Sequence, residues 1–225
     1  LFSSYIEKKL HHFVPAIFDL FITPLVTVLL STLVALCVFQ PIAGMISEAI
    51  GMAATTSIAA GGAVTGFVLG GTFLPMVMCG VHQGLTPIHA ELLSQYGVNI
   101  LLPILAMAGG GQVGASLAVY VKTKNKTLRK TIASALPVGI MGIGEPLIYG
   151  VTLPLGKPFI GACIGGAAGG AVQAAYMVGS TSMGISGLPL TLSTNHMLIY
   201  LAGLCTSYIV GFIITWIVGF DDPTC

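Results

Sequence analysis

The chain has 225 residues, of which 55% are hydrophobic and only 7% charged, with a formal net charge of +1. Soluble domains carry about 25% charged residues, so this composition excludes an ordinary water-soluble enzyme and describes a polytopic membrane protein. A net charge this small gives no reason to expect nucleic acid as a partner.

Residues 1–13 set Leu1, Phe2, Tyr5, Leu10 and Phe13 against Glu7, Lys8, Lys9, His11 and His12, the pattern of a short amphipathic helix lying at the membrane interface. This stretch, through residue 17, is expected to be a connector to a second domain over 18–225. The opening LFSSYIEKK lacks Met, a charged n-region and a small-residue cleavage site, so it does not read as a signal peptide, and the chain is expected to be a piece of a larger polypeptide. Residues 20–40 form a full-length uncharged span that accommodates Pro24 near its start. Residues 49–81 are apolar but crowded with glycine and small residues, and they fit either one long span or a broken pair.

In GVHQGLTPIHAELL, Gly80, Gly84 and Pro87 interrupt the apolar pattern around His82 and Gln83. Thr86 followed by Pro87 reads as the N-cap and first position of a short helix through about Gln95. A span from Asn99 to Val121 carries Gly109, Gly110, Gly111 and Gln112, and it ends in KTKNKTLRK. Lys122, Lys124, Lys126, Arg129 and Lys130 mark the loop 122–130 as cytoplasmic by the positive-inside rule. Residues 131–158 hold a Gly- and Pro-rich motif, and 159–178 and 198–220 are the last two spans. The polar connection STSMGISGLPLTLSTNH between them has the composition of a further re-entrant element.

Within that motif, GIGEPLIYGVTLPLGKPF, Glu145 is the one acidic residue between Leu92 and Phe220. Gly142, Gly144, Pro146, Gly150, Pro154, Gly156 and Pro158 are expected to prevent a regular helix around it. A carboxylate at bilayer depth costs about 2.5–3.5 kcal/mol on insertion scales, so it normally faces a cavity, a partner or a polar substrate. Non-helical backbone at that depth is tolerated only where protein or a water-filled cavity satisfies it. Both point to a binding site with Glu145 at its centre and His82, Gln83, Gln112, Tyr149 and Lys157 as the other candidates. A capping role for Glu145, or a pair with Lys157, is the structural alternative.

Other patterns carry little. GGGQVG at 109–114 matches a dinucleotide fingerprint but lies in an apolar span with no strand before it. Gly161, Gly165 and Gly169 form a small-xxx-small face for helix packing. The sequon at Asn125 falls in a loop expected to be cytoplasmic. The five cysteines show no disulfide or metal spacing, and neither a metal nor a cofactor is expected.

The GIGEPLIYGVTLPLGKPF run, with GVHQG upstream and AGGGQVGASLAVY between, resembles the membrane component, enzyme IIC, of the bacterial phosphoenolpyruvate-dependent sugar phosphotransferase system. The similarity lies in the glucose, sucrose and beta-glucoside superfamily, nearest the N-acetylmuramic acid transporters; Gly144 stands where sucrose and trehalose relatives often have Thr. YIEKKLHHFVPAIFDLFITPL resembles the family's mid-protein helix, so nearly the whole chain is covered. The resemblance implies an all-α transport half of an elevator-type IIC, with Gly/Pro-broken re-entrant hairpins. The N-terminal half, which makes the homodimer contacts, and the IIB domain are expected to be absent from it.

The resemblance further implies that His82 and Glu145 bind sugar hydroxyls, in a multi-pass protein of the bacterial cytoplasmic membrane. The partners it implies are the sugar, the lipid bilayer and the phosphorylated IIB domain, whose phosphocysteine phosphorylates the sugar 6-hydroxyl. A carboxylate offers acceptor sites and histidine both donates and accepts, which suits orienting that hydroxyl. Glu145 is the candidate catalytic residue for taking its proton. An ion-coupled secondary sugar transporter, an enzyme IIC for sucrose, trehalose or beta-glucosides, and a non-transporting membrane sensor or scaffold are the competing readings.

Overall fold

The computed structural model describes residues 2–222, with some side chains before residue 55 left outside the description. The described chain is mostly helical, with irregular connections and, among the described residues, two isolated bridges, Asn99 with Ser180 and Ser180 with Thr194. Five helices are long and apolar enough to cross a membrane: Phe18–Val38, Thr55–Met78, Leu101–Lys122, Lys157–Ala175 and Met197–Val218. The all-α, polytopic architecture expected from composition is the one adopted. Contacts divide the chain into two compact units, Leu1–Ala49 and Ile50–Cys225.

In the first unit, α1 (Phe2–Phe13) exposes Glu7, Lys8, Lys9, His11 and His12, the polar side the sequence predicts. Of the apolar side, Tyr5 is exposed and Leu10 half-buried; Leu1 and the side chains of Phe2 and Phe13 lie outside the described residues. Pro15 stops α1, and α2 (Ala16–Val34) begins directly after it. Asp19 in its first turn is held on both sides, with His11 Nδ1 2.6 Å from Oδ2 and the Thr23 hydroxyl donating to Oδ1 at 2.6 Å. A carboxylate there also sits at the positive end of the helix dipole. Beyond that turn α2 is apolar all round, with Leu20, Phe21, Val28 and Leu29 exposed, as expected of a helix solvated by lipid. A π-turn, Ala35–Phe39, leads into α3 (Gln40–Met78).

Inside α3 the backbone leaves the helical region at Gly62, with φ 47° and ψ −122°, which a residue carrying a Cβ adopts only under strain. The stretch 49–81 thus holds one candidate span, Thr55–Met78, with a break in its helix at Gly62. Gly80 in the left-handed region turns the chain into a 3-10 segment, Val81–Leu85, and α4 (Thr86–Tyr96) follows, ended by Gly97 at φ 70°. Thr86 and Pro87 are the first two helical residues, one step later than their expected roles. Asn99 Oδ1 accepts the Leu101 and Leu102 N–H groups at 3.1 Å each and so caps α5 (Leu101–Lys122).

The basic stretch 122–130, expected to be a loop, is mostly helix. Only Thr123–Asn125 are irregular, because Asn125 Oδ1 accepts from the Thr127 and Leu128 N–H groups at 2.9 and 3.0 Å and starts α6 (Lys126–Ile140). The Glu145 motif also differs from expectation. Residues 145–155 are helical throughout, as α7 (Glu145–Leu147), a π-turn (Ile148–Thr152) and α8 (Leu153–Leu155). Pro146 is the second residue of this segment, where its missing N–H costs no bond, and Pro154 lies two residues beyond the π-turn. The breaks fall at its ends, Gly142 with φ 99° and Gly156 with φ 68°.

Beyond Gly156 come α9 (Lys157–Ala175), a connection with a 3-10 segment Leu188–Ser193, and α10 (Met197–Val218). Helices α5, α9 and α10 form the centre of this unit. Their approach is set by glycine: a Cβ on Gly165 would lie 2.8 Å from Gly211 Cα and 2.9 Å from Gly111 Cα, and one on Gly161 or Gly169 would overlap the Thr215 or Ser207 hydroxyl. The small face of α9 thus lies on α10, as its spacing predicts. Gln173 adds a buried polar tie, its Nε2 donating to the Tyr200 carbonyl at 3.0 Å.

Candidate functional site

A cavity of about 430 Å³ lies within the second unit, inside the range of about 300–1,000 Å³ usual for small-molecule sites. Its wall is largely apolar, from Phe73, Leu74 and Val77 of α3, Leu102, Leu105 and Ala106 of α5, and Ile148. The polar groups that break this lining are His82, Gln83, Thr86, His89, Gln112, Glu145 and Ser186.

His82 and Gln83 are presented by the 3-10 segment. The His82 ring stands edge-on to Phe73, with centroids 6.2 Å apart and an interplanar angle of 84°. The Gln83 side-chain amide is 3.1 Å from His82 Nε2. Nδ1 is buried and has no partner among the described residues.

Gln112 comes from α5 and is fully buried at the cavity wall. The Thr152 hydroxyl donates to its Oε1 at 2.7 Å, joining α5 to the π-turn behind Glu145, while its Nε2 has no partner. Glu145 heads the helical segment just after the break at Gly142 and Gly144. Among the described residues its exposed carboxylate makes no hydrogen bond or ion pair, neither a cap nor the pair with Lys157. Lys157 lies outside the cavity lining and instead stands 3.4 Å from Asp221, with both side chains exposed.

Tyr149 does not join the group. It is 52% exposed and is not part of the cavity wall. The π-turn widens the helix at that point, and Ile148 takes the cavity-facing place while Leu147 and Val151 are buried on the other side. Of the residues singled out by sequence, His82, Gln83, Gln112 and Glu145 are brought together and Tyr149 is not.

From sequence, Thr86 reads as a helix start and 183–186 only as part of a polar connection, and His89 is not named as a site residue. Thr86 and His89 are three apart on α4 and share its cavity face, a relation readable once the helix start is placed. Burial holds the His89 imidazole below its ordinary pKa; His89 lies outside the five spans. The loop belongs to the polar connection whose composition suggests a re-entrant element, a signal that does not by itself place it at the cavity. It reaches the cavity because Gly187 and Gly142 meet backbone to backbone: a Cβ on Gly187 would lie 2.5 Å from Gly142 N. The Tyr200 hydroxyl holds that turn through the Gly187 carbonyl at 2.7 Å.

Chemically the site offers an acceptor-only carboxylate, several donors without internal acceptors and apolar walls, which suits a polar, hydroxyl-bearing ligand with apolar faces. Among the described residues no group of three or more His, Cys, Asp or Glu is placed to hold a metal ion.

Residues 1–166 match the family model described as "Phosphotransferase system, EIIC". The "Putative PTS system EIIBC component YbbF" of Bacillus subtilis (strain 168) is 50% identical over 210 residues, covering 92% of this chain and 46% of that protein. A "PTS system MurNAc-GlcNAc-specific EIIBC component" is 51% identical over 220 residues in Staphylococcus saprophyticus and 49% over 220 in Staphylococcus aureus (strain USA300), in each case covering 96% of this chain and 46% of the relative. The chain therefore spans just under half the length of the curated relatives it matches. No solved structure matches it. A family model covering well over half the chain, on a polytopic helical fold, settles the family: this multi-pass membrane protein belongs to the EIIC family of the phosphotransferase system.

Proposed function

We propose that this chain is the sugar-binding part of a phosphotransferase-system permease that takes up N-acetylmuramic acid, or a related sugar such as the MurNAc-GlcNAc named for its relatives. Uptake is coupled to phosphorylation at the 6-hydroxyl. The observation that carries the reading is the convergence of His82, Gln83, Gln112 and Glu145 on one cavity in an EIIC chain, with His82 Nδ1 and Gln112 Nε2 left without partners. A buried polar group without a partner costs about 1–3 kcal/mol, a cost that a bound sugar removes.

In this reading Glu145 accepts sugar hydroxyls, and His82, Gln83 and Gln112 fix the orientation of the ring against the apolar wall. A phosphorylated IIB domain delivers its phosphoryl group from cysteine: the S–P bond breaks as a bond forms between phosphorus and the sugar O6. The hydroxyl proton passes to Glu145, the catalytic residue of the site. The phosphorylated product carries a charge that opposes its return through an apolar site. Residues 1–17 act as connector and 18–225 as the transport domain, with Thr123–Asn125 and the basic residues flanking them on the cytoplasmic side. The working protein is a homodimer.

The test is equilibrium sugar binding, followed by phosphorylation with the IIB domain, on the permease containing this chain. N-acetylmuramic acid, N-acetylglucosamine, sucrose, trehalose and a beta-glucoside are compared. The reading expects the muramic acid sugars to bind and to become 6-phosphates only when phosphorylated IIB is present. Accumulation of free sugar without IIB would instead establish an ion-coupled transporter.

A further inference from the structure

His89 lines the cavity from α4, beside Thr86, while Ile88 and Leu92 of the same helix belong to the core. Its chemistry is set by Asn99. The oxygen of that amide is identified by the Leu101 and Leu102 N–H groups, which it accepts at 3.1 Å each. The other end, a donor only, therefore stands 3.0 Å from His89 Nδ1, while Oδ1 is 3.3 Å away with its lone pairs engaged. Nδ1 must accept, so the imidazole proton resides on Nε2. Among the described residues Nε2 makes no hydrogen bond, and the ring presents a donor to the cavity.

Gln112 has the same sense. Its contact with the Thr152 hydroxyl is 2.7 Å, the usual length of O–H···O and shorter than the usual N–H···O. Oε1 is thus the end engaged by Thr152, and the unpartnered Nε2 is a donor. Gly109, one turn earlier on the same cavity face of α5, has no atom within 4 Å of where a Cβ would stand. Room is therefore left beside the amide for a substituent larger than a hydroxyl.

Resting on the permease reading above, we propose that His89 and Gln112 form the donor side of the site and recognise an acceptor-only oxygen on the sugar, the carbonyl or carboxylate of an acetamido or lactyl group. Asn99 is the positioning residue that holds His89 in the donating tautomer. Glu145 takes the hydroxyls. A sugar without that substituent leaves donors unpaired in a buried site, and a site built to hydrogen-bond a group discriminates strongly against analogues lacking it.

The experiment measures affinities of the permease containing this chain for N-acetylmuramic acid, N-acetylglucosamine, muramic acid and glucose, and it reads the ratio of each to glucose. His89→Phe keeps a ring and removes the donor, and the ratio for N-acetylmuramic acid, together with that for whichever of N-acetylglucosamine and muramic acid carries the oxygen being read, is expected to collapse by about tenfold or more. N-acetylglucosamine carries only the acetamido group and muramic acid only the lactyl carboxylate, so the ratio that collapses identifies the oxygen being read. Asn99→Asp retains an acceptor for the Leu101 and Leu102 N–H groups but sets an acceptor against Nδ1. The same collapse is expected there, together with a change of the His89 ring nitrogen NMR shifts from the Nε2-protonated to the Nδ1-protonated pattern. Ratios equal to wild type in both variants, or equal losses for all four sugars, overturn the proposal. Wild-type protein that binds none of the four overturns the permease reading itself, a separate result.

Discussion

Glu145→Gln isolates the central claim about the site, because the folded chain gives that carboxylate nothing to do. It has no internal hydrogen bond or ion pair among the described residues, and its only structural contribution is a negative charge at the start of the 145–155 segment. Charge at a helix N-terminus is worth about 0.3–1 kcal/mol, so thermal stability should fall by no more than that. Binding should fall much further. If the carboxylate accepts two sugar hydroxyls, each bond goes from a charged acceptor, worth about 1.5–3 kcal/mol, to a neutral one of about 0.5–1.5 kcal/mol. Over two bonds the loss is about 2–3 kcal/mol, a rise in Kd of roughly 30- to 150-fold. Calorimetric titration of the purified permease with its best sugar measures this, and a melting curve on the same sample measures stability. An unchanged Kd would refute the assignment of Glu145 as sugar ligand. A collapse in melting temperature with binding retained would show that the carboxylate holds the fold by a contact the geometry does not contain.

Three further outcomes are expected. Gly111→Ala places a methyl against the Ala162 carbonyl and 2.7 Å from Gly166 N, overpacking a helix seam at a cost of about 1–3 kcal/mol; Gly109→Ala, two residues away with open space around it, should melt no lower than wild type, and equal melting of the two variants would sink the packing account. A cysteine at Thr127 should react with impermeant reagents only from the cytoplasmic side, since Lys122, Lys124, Lys126, Arg129 and Lys130 cluster there; labelling from outside intact cells would reverse the orientation. Asp222, outside the spans, accepts from the Thr123 hydroxyl at 2.6 Å and the Lys124 N–H at 2.7 Å, bonds that hold its carboxyl below the ordinary 3.8. A depressed carboxyl stabilises the fold above pH 3.8 and loses that contribution as pH falls through its folded value, so the stability gap between wild type and Asp222→Asn should be open at neutral pH and close in acid.

The spans were legible because hydropathy over about 20 residues is a strong signal that packing does not reverse. Their limits at Lys122, Lys157 and Met197 lie within a few residues of those read from the sequence. What misled was punctuation. Gly and Pro between 142 and 158 read as continuous disruption, yet Pro146 at a helix start and Pro154 beyond a π-turn are positions where a missing N–H is harmless, and only Gly142 and Gly156 take positive φ. The same π-turn removed Tyr149 from the cavity wall, a register change that no residue spacing announces. Asn125 was a readable signal, an N-cap three residues beyond Lys122, hidden by the expectation that a run of positive charge is a loop. His89 went unnoticed for a different reason: its role depends on Asn99, ten residues away and across a helix break, and tautomers are fixed by geometry rather than by sequence.

The cavity combines two kinds of support that work in opposite directions. Gln112 stands on α5, a helix packed between α9 and α10 with glycine at the closest approaches, so its donor has little freedom. Glu145 stands on a short segment bounded by two glycines with positive φ, which gives it far fewer constraints. The Thr152 to Gln112 hydrogen bond is the tie between them, and it engages the amide oxygen. Gln112 therefore keeps its Nε2 free of internal partners while its Oε1 holds in register the segment that carries the acceptor. A ligand bridging Gln112 and Glu145 closes a ring through Thr152, in which displacement of the segment strains both the internal bond and the ligand contacts. On the permease reading proposed above, in which one hydroxyl is held for a group transfer, a fixed wall and a tethered carboxylate suit that task, and loosening the tether should cost orientation before it costs affinity.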